Sequence, residues 1–484
     1  MKSLLLFLSK EKSLGWIILL GAVLRVLFVF VGGPVYYGNA DYFIQGDTSS
    51  WFRAFINLYD TGTFTINPAI EAGKFFRPPG YSFLFGVFYL LSFKNYVVAW
   101  KLLVGVQVIM DIACIYLISR IAKSVVRDSP HEGKTTFLNC AALLYAIYPF
   151  VIIWAPVLYA ESSSVFFLLL CVYYAFQKSG ARNAFLSGLF GGIAALIRLQ
   201  CAFGVLFIGV MFLFSGNANN KLRQLRYIFI FCFAILVTYG LWPARNYFLQ
   251  DRILFSQDLR IGRHWSPDFM SFLDFTHSIS TDHTAYYFQI LKNENVTWPP
   301  AAYIDIGDSA LLDSAVGLCR TCGTGFAYWK WGEHITQKLE LNPSPCDSAI
   351  ANIFTALTKK QKEKNAFHYW VVIPLENLKK CFFKFSIYGN KSLPVKLISS
   401  LLFIFRSMLI LLGLFGIYLA FKNHFLKNKF LLFALLYMIA WYLDLSIFYR
   451  NMEMRYLLHT DILLLIPAAY VLTAFLSNKY PQAT

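Results

Sequence analysis

Two carboxylates and five cations stand out in a chain with few charges. Asp47 sits in "QGDTSSWFRAF" and Glu161 in "LYAESSSVFF". Lys74 and Arg77 occupy "KFFRPPG", Arg198 interrupts "GGIAALIRLQCAFGVLF", Arg245 lies in "LWPARNYF", and Arg455 in "YRNMEMRY". Guanidinium groups hold phosphate through charge-assisted, often bidentate hydrogen bonds. A carboxylate beside them takes a proton from an attacking hydroxyl. Cations around a phosphate also stabilise the charge that develops as it leaves. If these residues share one face, the chemistry they support is group transfer from a phosphate-bearing molecule.

Whether they share a face depends on the elements that carry them. Of 484 residues, 57% are hydrophobic and 14% charged, against about 45–50% apolar and about 25% charged in soluble domains. The chain therefore reads as an all-α polytopic membrane protein. A first apolar run, 14–31, follows Lys10 and Lys12 and reads as a retained span. Further apolar runs lie near 97–119, 136–156, 162–177, 184–199, 201–215, 227–242, 396–421, 430–448 and 461–477. The basic loops 120–134, 177–183, 219–226 and 421–429, with the basic N-terminus, belong on the cytoplasmic side. That rule also accounts for the net charge of +17 without nucleic acid as a partner.

Only one crossing fits between the outer end of the first span and the 120–134 loop, and 97–119 supplies it. The apolar stretch 80–93 therefore stays outside. Its 14 residues reach about 21 Å as a helix, short of a bilayer core of about 30 Å. It reads as a juxtamembrane or re-entrant helix, with Pro78 and Pro79 at its start, where proline fits. About ten spans result, with both termini inside. The domains are then a transmembrane module at 1–242, whose first outer loop is 33–96; a mixed extracytoplasmic domain at 243–395; and C-terminal transmembrane helices at 396–484.

With sides assigned, Asp41, Asp47, Lys74, Arg77, Glu161, Arg198, Arg245, Arg450, Glu453 and Arg455 all fall on the outer face. Each has a plain reading as well. Arg198 snorkels to the interface, Glu161 supports a helix N-terminus beside Ser162–Ser164, the 450–455 cluster is a solvated loop, and Asp41 is an ordinary loop residue. Their convergence outweighs any one of these. Of nine cysteines, Cys114, Cys140, Cys171, Cys201 and Cys232 lie in spans as packing residues. Cys319, Cys322 and Cys346 fall outside, where a disulfide between two of them is expected and the pairing stays open.

The motifs in order resemble the GT-C polyprenyl-phosphate-sugar glycosyltransferases, in the branch with the protein O-mannosyltransferases and the lipid A aminoarabinose transferase. "GDTSSWFRAFINLYDTGTF" is similar to that family's first-loop acidic motif. "FRPPGYSFLFGVF" is similar to its juxtamembrane segment, "ALLYAIYPFVIIWAPVLYAES" and "GLFGGIAALIRLQ" to its helix pair, "LWPARNYF" to the stretch leaving the membrane, and "MEMRYLLHTDILLLIPAAY" to its last span. The resemblance implies an acid at Asp47 and a lipid-phosphate-binding base at Arg77. The Asp-Glu pair frequent in the mannosyltransferases is absent, since Thr48 follows Asp47; Asp41 or Glu161 is left to assist.

The expected activity is transfer of a sugar from a polyprenyl-phosphate carrier of undecaprenyl type to an acceptor hydroxyl, with inversion. The site would face the periplasm or exterior of a bacterial inner membrane. Asp47 and Glu161 are the candidate catalytic carboxylates; Arg77, Lys74, Arg198, Arg245 and Arg455 the candidate donor-phosphate ligands. No metal-ligand cluster or nucleotide-binding loop is read, and a lipid-phosphate donor needs no cofactor; a divalent cation stays open. Sugar and acceptor stay open too: lipid, protein or polysaccharide. The alternatives are a non-catalytic polyprenyl-phosphate-binding or transport protein, and a transferase of the O-antigen ligase or polymerase kind acting on a lipid diphosphate.

Overall fold

The computed structural model describes residues 2–66, 68, 71–126, 134–178, 180–213, 221–251, 253–256, 266–326, 344–384 and 393–476. Among these the chain is helical throughout, with no strand beyond an isolated bridge between Val126 and Leu426. Five helices are long and apolar enough to cross a membrane: Ser13–Tyr37, Tyr96–Val125, Lys396–Lys422, Asn428–Tyr449 and Met454–Leu476. A sixth candidate is the pair Lys221–Thr238 and Leu241–Leu249, bent by 47°. The runs expected at 162–177, 184–199 and 201–215 form shorter helices, Glu161–Phe176, Ala181–Ile197 and Cys201–Leu213. The run at 136–156 breaks before Pro149 into Lys134–Ala146 and Pro149–Trp154, because proline lacks the N–H that would continue the ladder. The chain is thus a helical membrane protein.

Two fully buried ion pairs lock the bundle. Arg25 lies 2.5 Å from Asp111, and Tyr145 donates to the same carboxylate at 2.6 Å. Arg25 also donates to the carbonyls of Gly21 and Ala146. On the other side Arg406 forms a two-pronged pair with Asp461 at 2.7 and 3.0 Å, and Tyr148 donates to Asp461 at 2.7 Å. Further Arg406 bonds reach the Cys381 and Phe382 carbonyls. A charge in such surroundings persists only when paired and hydrogen-bonded; of the Arg25 nitrogens, Nη2 alone is buried with no hydrogen-bond partner. The sequence reading passed over all four ionisable residues, which stand singly inside apolar runs.

The segment between the Leu241–Leu249 and Lys396–Lys422 helices has its own core. Phe269, Phe272 and Phe275 of Pro267–Ile279 meet Ile350, Phe354 and Leu357 of Pro345–Lys364. Apolar residues three and four apart build a helix face, so the expectation of a mixed domain is corrected: its described residues are helical, without strands. Pro345–Lys364 is one continuous helix of 20 residues. Cys322 pairs with Cys346, leaving Cys319 a buried thiol.

Pro79–Leu91 is a 13-residue helix with extended Pro78 before it and Pro79 in its first turn. It packs on the amphipathic helix Thr48–Thr61, where Phe52 stacks on Phe85 at 3.9 Å. Gly80 sets its approach to the bundle: a Cβ there would lie 2.6 Å from the main chain at Leu196 and Ile197. The contact brings Arg77 beside the end of the Ala181–Ile197 helix, where Arg198 stands.

Candidate active site

Asp47 stands at the N-terminal boundary of Thr48–Thr61. The turn before it is fastened to the 155–160 segment. Leu158 donates its N–H to the Phe43 carbonyl at 2.8 Å, and the Thr48 hydroxyl donates to the Leu158 carbonyl at 3.2 Å. Thr48 is fully buried and serves to anchor the loop. The Asp47 N–H points at the Tyr159 hydroxyl, 3.4 Å away.

The carboxylate of Asp47 lies between two guanidinium groups. Arg77 Nη2 is 3.0 Å from Oδ1, and Arg455 Nη2 is 2.9 Å from Oδ2. Arg77 also donates to Ser50 Oγ at 3.2 Å and lies over the Trp51 ring at 4.6 Å. This gives the aromatic four residues after Asp47 a physical role: it holds the arginine that holds the acid. Arg455 in turn approaches Glu161 at 3.6 Å and Glu453 at 2.6 Å, and covers the Tyr159 ring at 4.6 Å. Arg198 meets Glu161 at 2.7 Å. Three arginines and three carboxylates thus form one connected, charge-balanced group.

The group is graded in depth. Glu161 is 1% exposed, Arg455 10%, Arg198 11%, Arg77 17% and Asp47 37%. Glu161 is the floor, in the first turn of its helix, where the helix dipole also favours an anion. Asp47 and Arg77 are the open side. Burial works to raise the Asp47 pKa, but Arg77, Arg455 and Arg198 outweigh it and hold the carboxyl below its ordinary value. It is therefore ionised at neutral pH. Beneath Glu161, His459 Nε2 is 2.8 Å from Ser164 Oγ, in fully buried surroundings.

The structure brings together Asp47, Glu161, Arg77, Arg198 and Arg455. Arg245 is engaged differently. It donates to the carbonyls of Lys74 and Phe64 at 2.7 and 3.0 Å and lies against Phe64, Phe75 and Trp242. It fastens the loop that leads to Arg77, and Lys74 contributes its main-chain carbonyl to that contact. Arg450 separates from the cluster expected at 450–455: it donates to the carbonyls of His277 and Tyr369 and stacks on the Tyr369 ring at 3.9 Å. It clasps the domain at 243–395 to the bundle. Asp41 lies on the exposed side of its turn, its N–H accepted by Asn39.

Sequence reasoning gave no role to Tyr159, Trp51 or Tyr456, whose ring lies 5.4 Å from both the Arg198 and the Arg455 guanidinium. All of them lie within four residues of a charged site residue, and proximity to such residues was the available signal. Among the described residues no three His, Cys, Asp or Glu side chains group as metal ligands do. Compared with known protein families, curated proteins and solved structures, the chain matches none of them.

Proposed function

We propose that this chain is a glycosyltransferase that moves a sugar from a polyprenyl-phosphate carrier to an acceptor hydroxyl at the outer face of a bacterial inner membrane. One observation carries the reading: a carboxylate, Asp47, partly open to solvent and held at 2.9–3.0 Å between Arg77 and Arg455. In this reading the helices make ten crossings, namely the five long spans, the bent pair, the broken segment 134–154 and the three shorter helices between 161 and 213. Pro79–Leu91 stays outside as a juxtamembrane helix.

In the reaction, the acceptor oxygen forms a bond to the anomeric carbon as that carbon's bond to the phosphate oxygen breaks. The acceptor's proton passes to Asp47. The bonding pair leaves with the phosphate, which gains one negative charge as a free monoester. Arg77 and Arg455 stand where that charge develops, and their stabilisation grows as the bond breaks. A single displacement inverts the anomeric centre. Glu161 and Glu453 keep Arg455 in place, and Arg198 balances Glu161 in the floor of the site.

The test is release of free polyprenyl phosphate from a sugar-loaded lipid by the purified protein. Asp47→Asn should abolish release while the variant stays folded and still binds donor lipid, because the amide is similar in shape but takes no proton. Donor binding by the wild type without release would leave a lipid-binding protein in place of an enzyme.

A further inference from the structure

A cavity of about 270 Å³ adjoins the charged group at Glu453. Its walls are Tyr37 from the first span, Phe150 and Trp154 from the short helix after Pro149, and Leu402 and Phe403 from Lys396–Lys422. At its polar end stand Lys384 and Glu453. Two routes join it to the site. Glu453 pairs with Arg455 at 2.6 Å, and Trp154 stacks on Tyr159, the ring beneath Arg455. Beside it, Val35 and Leu401 are 75% and 66% exposed, the apolar exposure expected of surface that faces lipid.

This space is small for a whole ligand, which fills about 300–1,000 Å³, and suits one segment of an apolar chain. Its polar end offers an ammonium. Lys384 donates to the Met452 carbonyl, and an ammonium has further donors to offer. Burial, then neighbouring Lys380, pulls Lys384 down to about 8, while Glu453 and Asp282 act the other way. A cation disfavoured by its surroundings gains from an added anion.

We propose that the acceptor is a membrane lipid with an anionic head group, whose chain enters this cavity and whose head lies between Lys384 and the Asp47–Arg455 pair. The inference rests on the transferase reading. It places donor and acceptor on opposite sides of Arg455: donor phosphate towards Arg77, acceptor lipid towards Glu453.

The test uses the full chain in nanodiscs doped with diazirine-bearing phosphatidylglycerol or phosphatidylcholine, with crosslinks mapped by mass spectrometry. The anionic probe should label residues 150–154 and 399–403 about 10-fold more than the zwitterionic one, the size of one charge-assisted hydrogen bond. Lys384→Gln should erase that preference. Leu402→Trp should remove the labelling, with Ser399→Phe as the second filling variant should the first fail to fold. Equal labelling by both lipids, or labelling that both filling variants leave unchanged, overturns the proposal. Displacement of the probe by polyprenyl phosphate gives the cavity to the donor; the acceptor assignment falls and the transferase reading stands. Asp47-dependent sugar appearing on protein or polysaccharide instead of extracted lipid also overturns the assignment. Absence of any sugar turnover rejects the transferase reading and the acceptor with it, whatever the crosslinks show.

Discussion

Asp47 spends both carboxylate oxygens on guanidinium groups, and Arg77 is the more exposed of the two partners. Arg77 precedes two prolines, so its main chain is stiff. Removing its side chain takes away a charge-assisted phosphate contact of about 1.5–3 kcal/mol, or roughly 10- to 150-fold in donor affinity. Titration of donor lipid against Arg77→Ala in one detergent should show that loss, and Arg77→Lys should recover part of it, since lysine keeps the charge without the planar fork. Unchanged affinity in a folded Arg77→Ala protein would move the phosphate to Arg198 or Arg455. Asp47→Asn, by contrast, should spare affinity and abolish turnover.

At the scale of elements, the site depends on how closely Pro79–Leu91 meets the end of Ala181–Ile197. Gly80→Ala places a methyl 2.6 Å from main-chain atoms, and main chain does not step aside as a flexible side chain would. The helix must shift, carrying Arg77 with it. A displacement of about 1 Å costs up to about 100-fold in rate. The expected result is turnover reduced about 10- to 100-fold with little change in melting temperature; wild-type turnover would show that the helix position is not critical. The same helix fixes the topology. A cysteine placed at Asn95 should react with an impermeant thiol reagent added outside, and one at Ser129 should not. The reverse pattern would turn the active face to the cytoplasm and remove the reading built on it.

At the scale of the molecule, the domain at 243–395 is tied to the loop that carries the site. Arg450 binds the carbonyls of His277 and Tyr369, Lys380 binds Thr281, and Lys384 binds the Met452 carbonyl, one residue before Glu453. His277 Nε2 lies 3.2 Å from His283 Nδ1 in this joint. Burial, then His283 and Arg450, pushes His277 down to about 3, against about 6.5 in an unfolded chain. The folded state therefore binds fewer protons than the unfolded one between those values. Stability from this group is complete above about 6.5 and is lost as pH falls towards 3. Melting of the full chain should fall between pH 7 and 4.5, and His277→Gln should flatten the slope. An unchanged slope would place the pH sensitivity elsewhere.

Composition alone made this a helical membrane protein, because 57% apolar residues in long runs leave few soluble alternatives. The spacing of Phe269, Phe272 and Phe275 already specifies a helix face, yet the Pro-rich loops of the domain at 243–395 hide the period and suggest a mixed domain. Asp47, Glu161, Arg77, Arg198 and Arg455 were legible as candidates because ionisable groups at apolar boundaries are costly and stand out in sequence. Their pairing was not legible: Arg455 is 408 positions from Asp47, and only helix packing decides which of several arginines meets which acid. The same packing turned Arg245 and Arg450 to main-chain carbonyls, chose Cys322 and Cys346 from three cysteines, and used Arg25–Asp111 and Arg406–Asp461 to hold the bundle. Sequence fixes which side chains must find a partner in a low-dielectric interior; the tertiary structure decides the partner, because that depends on distances between helices that no local pattern encodes.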